Sequence, residues 1–314
     1  MVGDSLTRRA LTIAGCALAM VLMGVGAAPA AAGPDWQHAL QVIANAHADP
    51  PSTPAIYLFG DSAARECVRS DDSWAAAVSR KLGGARVSTF DLGSCNQTFA
   101  QDAQLIPHIP RGSIVLIGLA AANFTTGPYT ARDVLPQPAP IPSDYDPHRY
   151  SRRHVLSRSQ MRALVRAWVA TRYPVFKANL ARNARDLETL VKACRRQGLH
   201  PVIIEMPRNM RVIGHALDQA IMAYQGAARR IARANGLPPV VDFVARAHFK
   251  RTDLHDLWHC VEPGRRRWQP WLARETARLV RRYKLHAAAR PAVIASNGGL
   301  LDIGATAPGL VSPA

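Results

Sequence analysis

The stretch Ile56-Tyr57-Leu58-Phe59-Gly60-Asp61-Ser62 constrains this chain more than any other. Four β-prone apolar residues run unbroken, as in a strand buried on both faces, and a glycine stops them. A serine follows two residues later, at the carboxyl end of that strand, where open α/β sheets place their sites. The same signature recurs. Residues 87–92 form a run closed by Gly93, 114–119 a third, 202–206 a fourth stopped by Pro207, and 240–243 a fifth. Helical patterns fill the gaps over residues 74–82, 174–197, 216–235 and 264–284. Strands alternating with helices predict an α/β fold with a five-stranded parallel sheet.

The flanks read differently. Arg8-Arg9 precede an apolar stretch from Ala10 to Ala27 and the small-residue run Ala28-Pro29-Ala30-Ala31-Ala32. Residues 1–32 are therefore expected to be a signal peptide or an N-terminal membrane anchor. That places the protein outside the cytoplasm, secreted or anchored. Residues 33–54 read as a short helix and linker, 55–286 as the main domain and 287–314 as a flexible tail. Inside the domain, residues 125–173 interrupt the strand–helix rhythm. They are Pro-rich and then basic, and are expected to cap the site.

Four cysteines follow the signal: Cys67, Cys95, Cys194 and Cys260. In an exported protein they suggest disulfides, with Cys67–Cys95 as the first pairing to test. The formal net charge is +17, and Arg outnumbers Lys heavily among the basic residues. Such an excess suits an anionic envelope surface. No zinc-finger spacing, RNA-binding signature or recognition helix accompanies it, so nucleic acid is not an expected partner. The sequence gives no oligomeric state.

A second fragment, Asp256-Leu257-Trp258-His259, ends 197 residues beyond Ser62. A serine hydroxyl is a poor nucleophile unless a base takes its proton. His259 is the natural base, and Asp256, three residues earlier, can orient its ring and stabilise the imidazolium. Two blander readings compete: Asp61 and Ser62 as helix caps, and Asp256–His259 as a structural pair. A chemical rival is zinc, since His255 and His259 stand at i and i+4 with Cys260 and Glu262 nearby. Pro263-Gly264 shortens that helix, so the expected site holds no metal and no cofactor. Acyl transfer also needs donors aimed at the developing oxyanion. The backbone N–H of Ser62, Gly93 after the second strand and Asn123 after the third are the candidates.

Together these residues resemble the SGNH (GDSL-type) hydrolase superfamily. Gly60-Asp61-Ser62 looks like its first block, Gly93 its second, Asn123 its third and Asp256-Leu257-Trp258-His259 its last. The resemblance spans roughly residues 55–284. It implies a three-layer α/β/α sandwich of flavodoxin-like type. It also implies hydrolysis, or sometimes transfer, of O-linked acyl groups, with Ser62 as nucleophile, His259 as base and Asp256 as its orienting acid. The third block departs from the family pattern: Ala121-Ala122-Asn123-Phe124 stands where Gly-x-Asn-Asp is usual. The expected function is an exported serine esterase acting on an O-acyl ester of an envelope polysaccharide, glycolipid or lipid. An O-acyltransferase with the same triad and a non-catalytic envelope-binding relative remain open.

Overall fold

The computed structural model describes residues 34–48, 54–127 and 154–285. The expected export segment, most of the first half of the insertion and the expected C-terminal tail lie outside the described residues. Helix α1 (Pro34–Ala48) leads to strand β1 (Ala55–Phe59). The short helix α2 (Ser62–Arg65), α3 (Asp71–Lys81) and β2 (Ser88–Asp91) follow. Next come α4 (Phe99–Leu105), β3 (Ile114–Leu119), α5 (Arg158–Ala167) and α6 (Tyr173–Arg196). The chain closes with β4 (His200–Glu205), α7 (Met210–Ile213), α8 (Asp218–Ala234) and α9 (Glu262–Arg282).

The strands form one parallel sheet in the order β2-β1-β3-β4. Its two faces follow from the period-2 alternation of side chains along a strand. Tyr57, Phe59, Val115, Ile117 and Ile203 point into one core, shared with α1, α4, α6 and α8. Ile56, Leu58, Ile114, Leu116, Val202 and Ile204 point into the other, shared with α2, α3 and α9. Helices on both faces explain why the strands are apolar throughout rather than alternating. The layering is the expected α/β/α sandwich.

Two expectations change. The fifth strand is reduced to a single bridge, Val241 beside Ile204, tied by Val241 N–H to Ile203 O and Glu205 N–H to Val241 O, each 2.9 Å. The next side chain ends it: Asp242 Oδ1 accepts the N–H of Val244 at 3.0 Å and turns the backbone away. Residues 34–48, assigned with the linker, form a packed helix whose Trp36, Ala39, Leu40 and Ile43 enter the core.

The described half of the insertion is helical. Ser157 and Gln160 form a capping box that starts α5. Pro174 cannot donate the next i→i−4 bond, and the helix widens to a π-turn over Trp168–Arg172 before α6.

Candidate active site

Phe59 ends β1, and Gly60, at φ 151°, turns the chain out of the sheet. Asp61 then caps α2: its Oδ1 accepts the N–H of Ala63 at 2.9 Å. Capping falls to Asp61, which leaves the Ser62 hydroxyl for another partner. Ser62 Oγ lies 2.9 Å from Nε2 of His259, across 197 residues of chain. As the first residue of α2, Ser62 has a backbone N–H with no intrahelical acceptor.

His259 sits in a tight loop closed by an antiparallel bridge between Leu254 and Cys260. The opening of α9 crosses the neck of this loop closely: a Cβ on Gly264 would stand 2.0 Å from the carbonyl oxygen of Asp253. Asp256 organises the loop interior. Its Oδ1 accepts the N–H groups of Trp258 at 2.9 Å and His259 at 3.0 Å. Its Oδ2 lies 2.7 Å from His259 Nδ1. Both side chains are mostly buried, at 16% and 12% exposure. Burial alone would raise the Asp256 pKa, but the neighbouring imidazole and three hydrogen bonds hold it well below the usual carboxylate range. Burial likewise pulls His259 down, yet the Asp256 charge and hydrogen bond outweigh it and leave His259 above its ordinary value.

The proposed oxyanion donors have different fates. Asn123 is buried in the short 3-10 turn after β3. Its Oδ1 accepts the N–H of Ala120 at 2.6 Å, and its Nδ2 is buried with no hydrogen-bond partner. Gly93 packs on the nucleophile segment, so closely that a Cβ there would meet Arg65 N at 2.7 Å. Its N–H, however, donates to Asp91 Oδ1 at 2.9 Å. Burial pushes the Asp91 carboxyl up to about 8.

The zinc arrangement does not form. His255 turns away, with Nδ1 2.6 Å from the carbonyl oxygen of His154, and no metal-holding group of His, Cys, Asp and Glu converges among the described residues. Among the described residues Cys67, Cys194 and Cys260 are buried free thiols. Cys67, packed in the same core as Cys260, carries a free thiol, so the expected Cys67–Cys95 bridge is not formed.

One contributor was missed in the sequence. Asn209, fully buried just beyond β4, brackets the His259 loop. Its Nδ2 donates to the carbonyls of Arg251 at 3.0 Å and Asp256 at 3.2 Å, and its N–H to that of Leu257 at 2.9 Å. The available signal was a polar residue two positions beyond Pro207, which stops the strand.

Fold and geometry define an α/β/α protein with a Ser–His–Asp constellation at the carboxyl edge of its sheet. No protein-family model matches the chain, and no curated protein matches it. Among solved structures it is similar to a lipase/acylhydrolase from Enterococcus faecalis, with 14% identity, TM-score 0.43, and coverage of 76% of this chain and 100% of that one. It is similar to the acetyl xylan esterase AlAXEase, with 12% identity, TM-score 0.43, and coverage of 72% and 99%. The SGNH-hydrolase family esterase AlinE4 also matches, with 14% identity, TM-score 0.37, and coverage of 74% and 98%. The strand order and layering described above define the fold independently of these likenesses.

Proposed function

We propose that this protein is an SGNH-type serine esterase that cleaves an O-acyl ester at the cell envelope, on a polysaccharide, glycolipid or lipid. The observation that carries the reading is the continuous hydrogen-bonded line from Ser62 Oγ through the His259 ring to Asp256 Oδ2, at 2.9 and 2.7 Å. In the reaction, Ser62 Oγ attacks the acyl carbon while His259 Nε2 takes its proton. The oxyanion meets Ser62 N–H and Asn123 Nδ2. His259 returns the proton to the leaving alcohol, and the acyl group remains on Ser62. A water, deprotonated by His259, then attacks that ester; the Ser62 Oγ–acyl bond breaks, His259 returns the proton to Ser62 Oγ, and the acid leaves. Asp256 holds the imidazole orientation and stabilises its cation throughout. Residues 1–32 supply the export signal or anchor.

The test uses short-chain p-nitrophenyl esters and a serine-directed phosphonate, with Ser62→Ala as control. Turnover and labelling that both vanish in Ser62→Ala support the reading; their absence from the wild type overturns it. One observation favours a second reading. Gly93 N–H is held by Asp91, so two of the three expected oxyanion donors stand free of the fold's own bonds. A non-catalytic envelope-binding protein would keep this arrangement and leave the phosphonate unreacted.

A further inference from the structure

The large apolar side chains left exposed among the described residues are Val169, Val175, Met210 and Met222. Val169 and Val175 belong to the helical excursion from α5 through the π-turn into α6. Met210 and Met222 sit on α7 and α8, which pack against α5 and α6 respectively. Tyr173 joins the two sides, donating its hydroxyl to Gln219 Oε1 at 2.8 Å.

The same excursion carries only positive charge. The chain has no acidic residue between Asp146 and Asp186, while Arg158, Arg162, Arg166, Arg172 and Lys177 all stand exposed. None of the five is ion-paired with a described residue. At the α-helical rotation per residue, Arg158, Arg162 and Arg166 fall within an arc of about 80°. Met161, Val165 and Trp168 take the buried side. A basic stripe and exposed aliphatic side chains thus occur together on this excursion and the helices packed against it, with no ion pair to the five cations among the described residues.

This side adjoins the candidate site. Leu156, at the entry to α5, donates its N–H to His255 O at 2.9 Å and accepts Arg251 Nη1 at 3.0 Å. His154 O lies 2.6 Å from His255 Nδ1. The excursion is stitched directly to the loop that carries His259.

We propose that this face docks the protein on an anionic lipid surface, so that Ser62 meets an acyl ester held at that surface. The inference rests on the esterase reading for its substrate, but not for its docking. The choice of a bilayer over a hydrated polyanion follows from the apolar tips. Val169, Val175 and Met222 gain nothing among solvated sugars, whereas they can enter the headgroup boundary while the arginines meet lipid phosphates.

Sedimentation of the full chain with phosphatidylcholine vesicles, with and without phosphatidylglycerol, tests the docking. The wild type is expected to partition at least about ten-fold more strongly onto the anionic vesicles, and that preference should collapse in low-salt-to-high-salt titration. The triple variant Arg158→Gln/Arg162→Gln/Arg166→Gln should lose it, and Val169→Asp should weaken it, both at unchanged melting temperature. Equal binding to the two vesicle types, or binding insensitive to the triple variant, overturns the proposal. Displacement by soluble polygalacturonate of matched charge also overturns it, in favour of a polysaccharide. Sedimentation needs no turnover. A protein that docks but never reacts with phosphonate sinks the esterase reading alone, and one that hydrolyses esters without the lipid preference sinks the docking alone.

Discussion

Asn123 folds its side chain back on Ala120: Oδ1 accepts the Ala120 N–H at 2.6 Å, and this fixes which way the amide faces. Nδ2 is left as a buried donor without a partner. An unsatisfied buried donor costs stability, and a transient oxyanion beside Ser62 is the partner that the proposed reaction would give it. The loop around it keeps its shape without the glycine and aspartate of a Gly-x-Asn-Asp pattern. Ala121 is fully buried, and the Phe124 ring stacks on Tyr224 at 5.3 Å and meets Phe99 edge-on at 5.6 Å. Asn123→Ala is expected to lower kcat by about 10²–10³ with little change in KM. Steady-state kinetics on p-nitrophenyl acetate reads this directly; an unchanged kcat would remove Asn123 from the oxyanion site.

The pH profile should report the Asp256–His259 pair. His259 must be neutral to accept the Ser62 proton, and Asp256 keeps its pKa above the ordinary histidine value. Activity should therefore fall, on acidification, at a pH above that of a free histidine. Asp256→Asn removes the largest charge that raises His259, leaving burial, which lowers it, against the smaller effects of Glu66 and Asp61. The acid limb should move to lower pH while kcat drops by up to about 10⁴. A limb that stays in place would mean that another group titrates.

Much of this was legible from residue order. Ser62, His259 and Asp256 meet because each follows a recognisable local pattern: a buried strand stopped by Gly60, and an Asp three residues before a His. The parallel sheet was legible for the same reason, since strands covered on both faces lose their polar alternation. What escaped depended on which partner a side chain or backbone group takes once folded. Val241 had the composition of a strand, but the Asp242 side chain ended it after one bridge. Gly93 looked like a free strand-end donor, yet Asp91, two residues earlier, claims its N–H. A short helix was legible within residues 33–54, but its place in the core was not, because that burial depends on residues far along the chain.

Asn209 makes a prediction of a different kind, because it touches no reacting atom. It is a positioning residue: its amide holds the carbonyls of Arg251 and Asp256, so the orienting carboxylate sits on a braced loop. Asn209→Ala should lower kcat by about 10²-fold, the penalty for a small misplacement of a catalytic group. It should also shift the acid limb toward the ordinary histidine value, because a looser Asp256 raises His259 less. A purely structural role would lower the melting temperature and leave the limb where it is.

Asp102 links the fold itself to pH. It is buried on α4, and burial pushes its carboxyl up to about 8 although Gln97 Nε2 donates to it; the Asp61 charge adds to the rise. Gln97 Oε1 is buried without a partner, so a neutral acid beside that amide has an acceptor to meet. The folded pKa lies above the unfolded value of about 3.9, so the folded state binds the extra proton between the two. The stability contribution is complete below about pH 4 and is lost as pH rises through about 8. Asp102→Asn keeps the acceptor for Gln97 and cannot ionise, so it should escape this loss. Urea unfolding at acid, neutral and alkaline pH should find the variant gaining on the wild type as pH rises from about 4 to 8, with the gap constant above that. A gap that does not change with pH would mean that Asp102 is ionised throughout.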